Sequence, residues 1–361
     1  MKSRKISTIL AAMITGAVLL SACGGSSSNS AQSSGSSAPA AEESKEETAE
    51  STEQAAAPAA GAETWNIGTS SSGSFYYFGT AIAQVVTPVL SGDGLTVVSE
   101  ATNGSVENAR RLNSGELKMA ICAQTSVDDE LANGNIQAEN LTYIMPLYEN
   151  IAHFATPVST GWNTLDDAMH AGVKVGVGEP GSGYYLAWEQ FFDMYGMTID
   201  DAAAQRISTA EQIDLMIDGG LELVRVDGGI PNSNISNLAS SMNGGVKLLN
   251  MSQENMDAYN EYVPYFYLTT IPGGTYEGTP DDTTTMAYKP LLYCRADLDE
   301  ELVYQFTKAM CENTADMAAI YEPCGEVSAE AAVEMMDVYT ANGVQMHPGA
   351  LRYFQEVGAI K

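Results

Sequence analysis

The sequence predicts an α/β protein folded into two lobes. Apolar segments of strand and helix length alternate along most of it, the pattern of βα units and parallel sheets flanked by helices. Residues 62–361 also make a stretch longer than one hydrophobic core comfortably serves. The first lobe is expected over 62–151 and again over 293–361, and the second over 152–292, with a cleft between them.

The chain opens with Lys2, Arg4 and Lys5, followed by an apolar run over 6–20. That run suits an export signal and is short for a spanning helix. Leu20-Ser21-Ala22-Cys23 closes it and resembles a bacterial lipobox, so residues 1–22 are read as a lipoprotein signal peptide and Cys23 as the lipidated residue. An acylated cysteine holds a chain on a membrane without crossing it. Residues 24–61 are nearly all Ser, Gly, Ala, Pro, Gln, Thr and Glu, a composition that cannot build a core. With Cys23 they are read as a flexible tether, roughly 30 to 40 Å in average span. No later run reaches spanning length.

Strands are expected at 65–68, 95–100, 119–122, 173–177, 203–207 and 221–226. Helices are expected at 78–90, 106–113 and 126–132, and through most of the last third. Two longer apolar and aromatic stretches, 141–157 and 288–295, are the natural crossings between lobes.

The chain carries 46 acidic against 16 basic residues, a net charge of −30. Such a balance argues against nucleic acid and anionic lipid surfaces as partners. Cys122 and Cys294 lie in apolar runs and read as buried thiols, whereas Cys311 and Cys324 are close enough in sequence to suggest a bridge. No Cys/His spacing suits a metal, and no cofactor is expected. The GxGxxG at 176–181 contains Pro180, and an exported chain meets no nicotinamide pool, so it is set aside as a dinucleotide site. GxSxG, HExxH and phosphate-loop motifs are absent, and the three histidines, His153, His170 and His347, read as structural. An enzyme is not expected.

Ligands of open α/β sheets collect at loops beyond the carboxyl ends of strands. Four loops stand out. The first, 68–79, brings Ser71, Ser74, Tyr76 and Tyr77; the second, 101–105, brings Asn103, Gly104 and Ser105, with Ser105 as a helix N-cap and Glu107 in the first turn. The third contributes Gln124 and Ser126, and the fourth Gly181, Ser182, Gly183 and Tyr184. Free backbone N–H groups at such helix starts suit an anion. Tyrosine outnumbers phenylalanine by 18 to 8, and its ring and hydroxyl both serve a solute cleft.

Several segments together resemble the solute receptors of the TAXI branch of TRAP transporters: ATNGSVEN at 101–108, SGE at 114–116, PGSG at 180–183, GIP at 229–231, IPGGTY at 271–276 and HPG at 347–349. The resemblance runs from about residue 65 to 358. It implies a two-lobed periplasmic-binding-protein fold of type II that closes on a small solute, an organic acid or amino-acid-like, and delivers it to integral-membrane TRAP permease subunits. Pro231 belongs to one of these segments. The chain departs from the family where a pair of aromatics and a small polar residue are usual: here Arg225, Val226 and Asp227 lead into 228–231. Two residues apart on a strand, Arg225 and Asp227 share a face. They either neutralise each other, face solvent, or read the two ends of a zwitterion, Arg225 taking a carboxylate by its planar fork and Asp227 an ammonium. Ser71, Ser72 and Ser74 replace the family's glycine or threonine and suit a more polar solute.

The resulting expectation is a monomeric, lipid-anchored receptor on the outer face of the cytoplasmic membrane. It binds a small anionic or zwitterionic solute. The same fold serving an ABC importer or a membrane sensor is the alternative, and an exported enzyme a more distant one.

Overall fold

The computed structural model describes residues 63–360; the signal, Cys23 and the tether lie outside them. The first lobe is built from βα units: β1 (Glu63–Gly68), α1 (Ser74–Leu90), β2 (Leu95–Glu100), α2 (Ser105–Ser114), β3 (Met119–Cys122), α3 (Gln124–Ala132) and β4 (Leu141–Pro146). β1 pairs in parallel with β2 and β3. Helix α1 forms because Phe78, Ile82, Val86 and Leu90 recur every fourth residue and bury one stripe against the sheet. It begins four residues before the expected start, so Ser74, Tyr76 and Tyr77 lie in its first turn rather than in the loop.

After β4 the chain crosses into the second lobe: β5 (Asn150–Pro157), α4 (Leu165–His170), α5 (Gly183–Met194), α6 (Thr209–Ile217), β6 (Val224–Gly228), α7 (Ser233–Ser241), β7 (Val246–Leu248), α8 (Gln253–Tyr259), β8 (Tyr267–Ile271) and β9 (Thr283–Tyr288). It then returns through β10 (Leu291–Arg295), α9 (Glu300–Glu312), α10 (Thr314–Ile320), α11 (Ala329–Val333), α12 (Met336–Tyr339), β11 (Gln345–Met346) and α13 (Pro348–Glu356). The first sheet runs β11-β4-β10-β3-β1-β2, and the second β6-β5-β9-β8 with β7 beside β5.

The crossings are short and lie side by side. Residues 147–149 lead out, 289–290 lead back, and the Leu147 N–H donates to the Pro290 carbonyl at 2.9 Å. The segment that follows α10 ties down both. The Glu326 carboxylate accepts the Glu149 N–H at 2.7 Å, and Glu334 pairs with Lys289 at 3.3 Å. Met335 packs against the cores of both lobes.

Two expectations about the sheets are corrected. The second sheet is not parallel: each of its strand pairings is antiparallel. β5 carries the chain in and β9 carries it out, so the two must oppose each other. The strands expected at 173–177 and 203–207 are reduced to single parallel bridges, Val175 to Leu223 and Gly176 to Gln205, in a stretch where Gly176 and Gly178 weaken extended structure. The mostly helical last third is found only beyond Arg295, because the threonine-rich β8 and β9 favour strands.

The first core gathers Trp65, Phe78, Tyr143, Phe306 and Phe354. In the second lobe, alternation along β5 sends Ala152 and Phe154 to one core with Trp188 and Phe191, and Ile151 and Ala155 to another with Val224 and Val226. The same alternation turns Arg225 and Asp227 to the face opposite Val224 and Val226. Cys122, Cys294, Cys311 and Cys324 are all free thiols, so the suggested bridge between Cys311 and Cys324 does not form. Burial pushes the Cys294, Cys311 and Cys324 thiols up to about 12. Among the described residues no helix is long and apolar enough to cross a membrane.

Candidate functional site

A cavity of about 430 Å³ opens between the lobes. Six helices begin on it. From the first lobe come Gly73 and Ser74 (α1), Gly104 and Ser105 (α2), and Ala123 and Thr125 (α3); from the second come Ser182 and Gly183 (α5), Ser208 and Thr209 (α6), and Asn232 and Ser233 (α7).

The two lobes prepare these starts differently. In the second lobe Ser182, Ser208 and Asn232 cap their own helices, each side chain accepting a first-turn N–H. In the first lobe Gly73, Gly104 and Ala123 precede the helices and give no side-chain cap. Gly73 and Gly104 stand at φ 78° and 99°, a region that favours glycine, and they leave the first N–H groups of α1 and α2 without a side-chain acceptor. Ser105 is therefore the first helical residue and not the expected N-cap. Its hydroxyl instead accepts the Ala123 N–H at 3.0 Å. Glu107 does support the helix start, accepting the Asn103 N–H at 3.1 Å.

The loops around α2 are held by Asn108, which is fully buried. Its amide donates to the carbonyls of Thr69 (2.7 Å) and Ile121 (3.0 Å) and accepts from the Thr102 hydroxyl at 2.7 Å. One side chain thus joins the ends of β1 and β3 to the second loop. Gly68 leaves room for it, since a Cβ there would stand 2.6 Å from the Asn108 Oδ1.

On the other lobe, Arg225 and Asp227 form a bidentate ion pair at 2.7 and 2.6 Å, their side chains only 2% and 4% exposed. Both line the cavity. Burial works against the Arg225 charge, but the Asp227 carboxylate outweighs it and holds the guanidinium above its ordinary range. The rings of Phe154, Phe191 and Tyr184 lie 5.7 to 6.0 Å from the guanidinium carbon and add cation–π attraction. The planar fork is thereby occupied: Nε and Nη2 serve Asp227, while Nη1 has no hydrogen-bond partner. The Tyr184 hydroxyl accepts the Asp227 N–H at 2.9 Å.

Of the residues expected from the sequence, Ser71, Ser74, Tyr77, Asn103, Gly104, Ser105, Ser182, Gly183, Tyr184, Arg225, Asp227 and Pro231 line the cavity. Tyr76, Gln124, Ser126 and Gly181 do not. Tyr76 follows the helical turn outward and is 39% exposed. Gln124 reaches the Val338 carbonyl at 3.4 Å, away from the cavity. Ser126, on α3, is fully buried with its hydroxyl toward Gly183, and Gly181 is an exposed turn residue at φ 87°. The sequence reading passed over Thr102, Asn150, Asn232, Phe266, Tyr288 and Tyr321, which also line it. Asn150 and Tyr288 sit at the second-lobe ends of the two crossings and hydrogen-bond each other at 2.7 Å.

The lobes touch through glycines. A Cβ on Gly229 would stand 2.6 Å from the Pro323 ring, one on Gly228 2.7 Å from the Ser74 hydroxyl, and one on Gly183 3.3 Å from the Ser126 hydroxyl. Among the described residues no group of three or more His, Cys, Asp or Glu side chains could hold a metal ion.

Two α/β lobes joined by paired crossings around a cavity between them define the fold of periplasmic solute-binding proteins. The chain matches the model of the NMT1-like family over residues 67–358 and belongs to that family. A solved protein from Bordetella bronchiseptica RB50 is 13% identical and aligns over 81% of this chain and 98% of its own, with a TM-score of 0.50. A putative periplasmic sulfonate-binding protein of an ABC transporter from Methylobacillus flagellatus KT is 10% identical over 83% and 96%, with a TM-score of 0.48. A TctC solute-binding protein from Polaromonas is 15% identical over 82% and 98%, with a TM-score of 0.45. A role in binding a small solute fits the family.

His153 supports the cavity from behind. Its Nδ1 lies 3.0 and 3.2 Å from the Ile151 and Val226 carbonyls, so it carries the proton, and Nε2 accepts from the Tyr276 hydroxyl at 2.8 Å. That hydroxyl in turn accepts the Asn232 N–H at 2.8 Å, at the start of α7. Burial lowers the His153 pKa from 6.5 to about 4. The neutral ring therefore contributes its full stability above pH 6.5. Between pH 6.5 and 4 the unfolded chain binds a proton that the native state refuses, and up to about 3 kcal/mol is lost as pH falls. Urea unfolding of the wild type across this window should show a proton uptake that His153→Gln lacks; equal pH slopes would contradict a neutral buried ring.

Proposed function

We propose that the protein is an exported receptor, lipid-anchored at Cys23, that captures a small anionic solute in the interlobe cavity and passes it unaltered to a TRAP-type secondary transporter. The observation that carries this reading is the convergence of six helix starts on one cavity whose basic side chain is Arg225. Each helix start contributes a partial positive charge of roughly half a unit. The uncapped starts of α1 and α2, at Ser74 and at Ser105, hold the anionic group from the first lobe. Arg225, which lines the cavity from the second, supplies the opposite positive charge. Ser71, Ser182, Gly183 and Tyr184 complete the polar wall. A zwitterionic solute fits less well than a plain anion, because both Asp227 oxygens already accept from Arg225.

The glycine contacts support capture by closure. Gly183, Gly228 and Gly229 bring second-lobe backbone against first-lobe side chains, an approach needed only when the lobes are together. The boundaries proposed for the lobes are the two crossings, with the C-terminal segment completing the first. The TRAP assignment rests on the six family-like segments. Four of them supply cavity residues or their supports: Thr102 to Ser105, Ser182 and Gly183, Gly229 and Pro231, and Tyr276 behind Asn232. The acidic balance of the chain speaks for a monomeric receptor that does not engage nucleic acid.

Small carboxylates should raise the melting temperature of the purified protein, since a ligand that binds only the native state stabilises it. Arg225→Lys keeps a cation beside Asp227 but removes the planar guanidinium, and should weaken the best carboxylate by about tenfold or more with an unchanged circular dichroism spectrum. Undiminished affinity in that variant would remove Arg225 from the site.

Gly229→Ala should weaken binding by at least about tenfold while the unliganded melting temperature stays put, because the added methyl meets Pro323 only in the closed form. A variant that binds as well as the wild type would count against closure.

Cys23→Ala should shift the protein from the membrane fraction to the soluble one or arrest its processing. Unchanged membrane retention and mass would defeat the anchor.

A further inference from the structure

The cavity is larger and more aromatic than capture of a small anion requires. At about 430 Å³ it falls within the range of sites that enclose ring-containing ligands. Phe75, Tyr77 and Tyr321 line it from the first lobe, and Tyr184, Phe266 and Tyr288 from the second. The rings stand in groups: Tyr77 and Tyr321 have centroids 5.7 Å apart, and Phe266 and Tyr288 4.7 Å apart at 33°. Each lobe therefore brings its own aromatic wall to the same space.

Polar groups share the lining with these rings. Arg225, more than nine-tenths buried, keeps Nη1 unpartnered, and the first N–H groups of α1 and α2 face the cavity without side-chain caps. Asn150, equally buried, donates its amide nitrogen to the Tyr288 hydroxyl, and its unpartnered Oδ1 is an acceptor that serves a donor of the solute and not its carboxylate. The charged side chains of the lining are Arg225, Asp227 and Glu179, so a second negative charge on the solute would find no cation of its own. Donors for one carboxylate thus adjoin two walls of rings.

We infer that the solute is an aromatic monocarboxylate. This rests on the receptor reading above and names the substrate class of the same site. Its carboxylate lies between the Arg225 side of the cavity and the starts of α1 and α2, and its planar body lies between the aromatic walls, where ring–ring contacts add to the area buried.

The test is isothermal titration of the full purified protein with benzoate, phenylacetate and indole-3-acetate against cyclohexanecarboxylate, succinate and glutamate. The best aromatic acid should bind about tenfold or more tightly than cyclohexanecarboxylate, which matches benzoate in charge and approximate size but lacks the ring electrons. Phe266→Leu should weaken the aromatic acid by roughly fivefold and leave cyclohexanecarboxylate within about twofold. Tighter binding of succinate or glutamate, or equal binding of the aromatic and saturated acids, would overturn the assignment and leave anion capture standing. No heat and no melting shift from any of the acids would instead overturn anion capture, and the aromatic assignment with it. Tyr321→Leu repeats the measurement on the opposite wall should Phe266→Leu fail to fold.

Discussion

A helix leaves its first N–H groups without partners inside itself, and the arrangement of this cavity follows from where those groups are placed. In the first lobe, parallel βα units return each helix to the same edge of the sheet, so the starts of α1, α2 and α3 meet there. The second lobe reaches the same result through an antiparallel sheet, with the start of α7 directly following β6 and those of α5 and α6 brought round by longer connections. What differs is how the N–H groups are satisfied. The second lobe closes its helix starts with Ser182, Ser208 and Asn232, whereas the first leaves glycine or alanine in those places. The first lobe is thus the one with unspent donors.

The Arg225–Asp227 pair is the costly element opposite them. Two buried charges lose solvation that their mutual attraction repays only with good geometry, and here the geometry is bidentate, with three rings around the guanidinium. The pairing fixes the orientation of Arg225 and leaves a single nitrogen over. A guanidinium held so rigidly gives direction to a contact that a free one would make more loosely. His153 extends the same discipline behind the sheet, relaying through Tyr276 to the start of α7.

The βα pattern of the first lobe was legible because its strands alternate with helices carrying a clear apolar stripe, as Phe78, Ile82 and Val86 do in α1. The shared face of Arg225 and Asp227 followed from strand periodicity alone. The sequence could not show that the strand near residue 175 shrinks to a bridge, since an apolar run looks the same whether or not a neighbour pairs with it. Nor could it place Asn150 and Tyr288, which reach the cavity from the ends of the crossings and owe their position to contacts between distant parts of the chain. Ser105 was misread for a local reason: a serine before an apolar run looks like a cap, and only the backbone angle of Gly104 moves the helix start by one residue.

The paired crossings also fix the kinematics of the molecule. Two short chain segments lying side by side, joined by the hydrogen bond from Leu147 to Pro290, act as two points on one axle. The closure proposed above would then be a rotation about the line through them, with sideways splaying resisted. The segment from Glu326 to Glu334, gripping one crossing through the Glu149 backbone and the other through Lys289, works as a bracket on that axle. A part of the chain remote in sequence from the cavity thereby sets the arc along which its two walls meet.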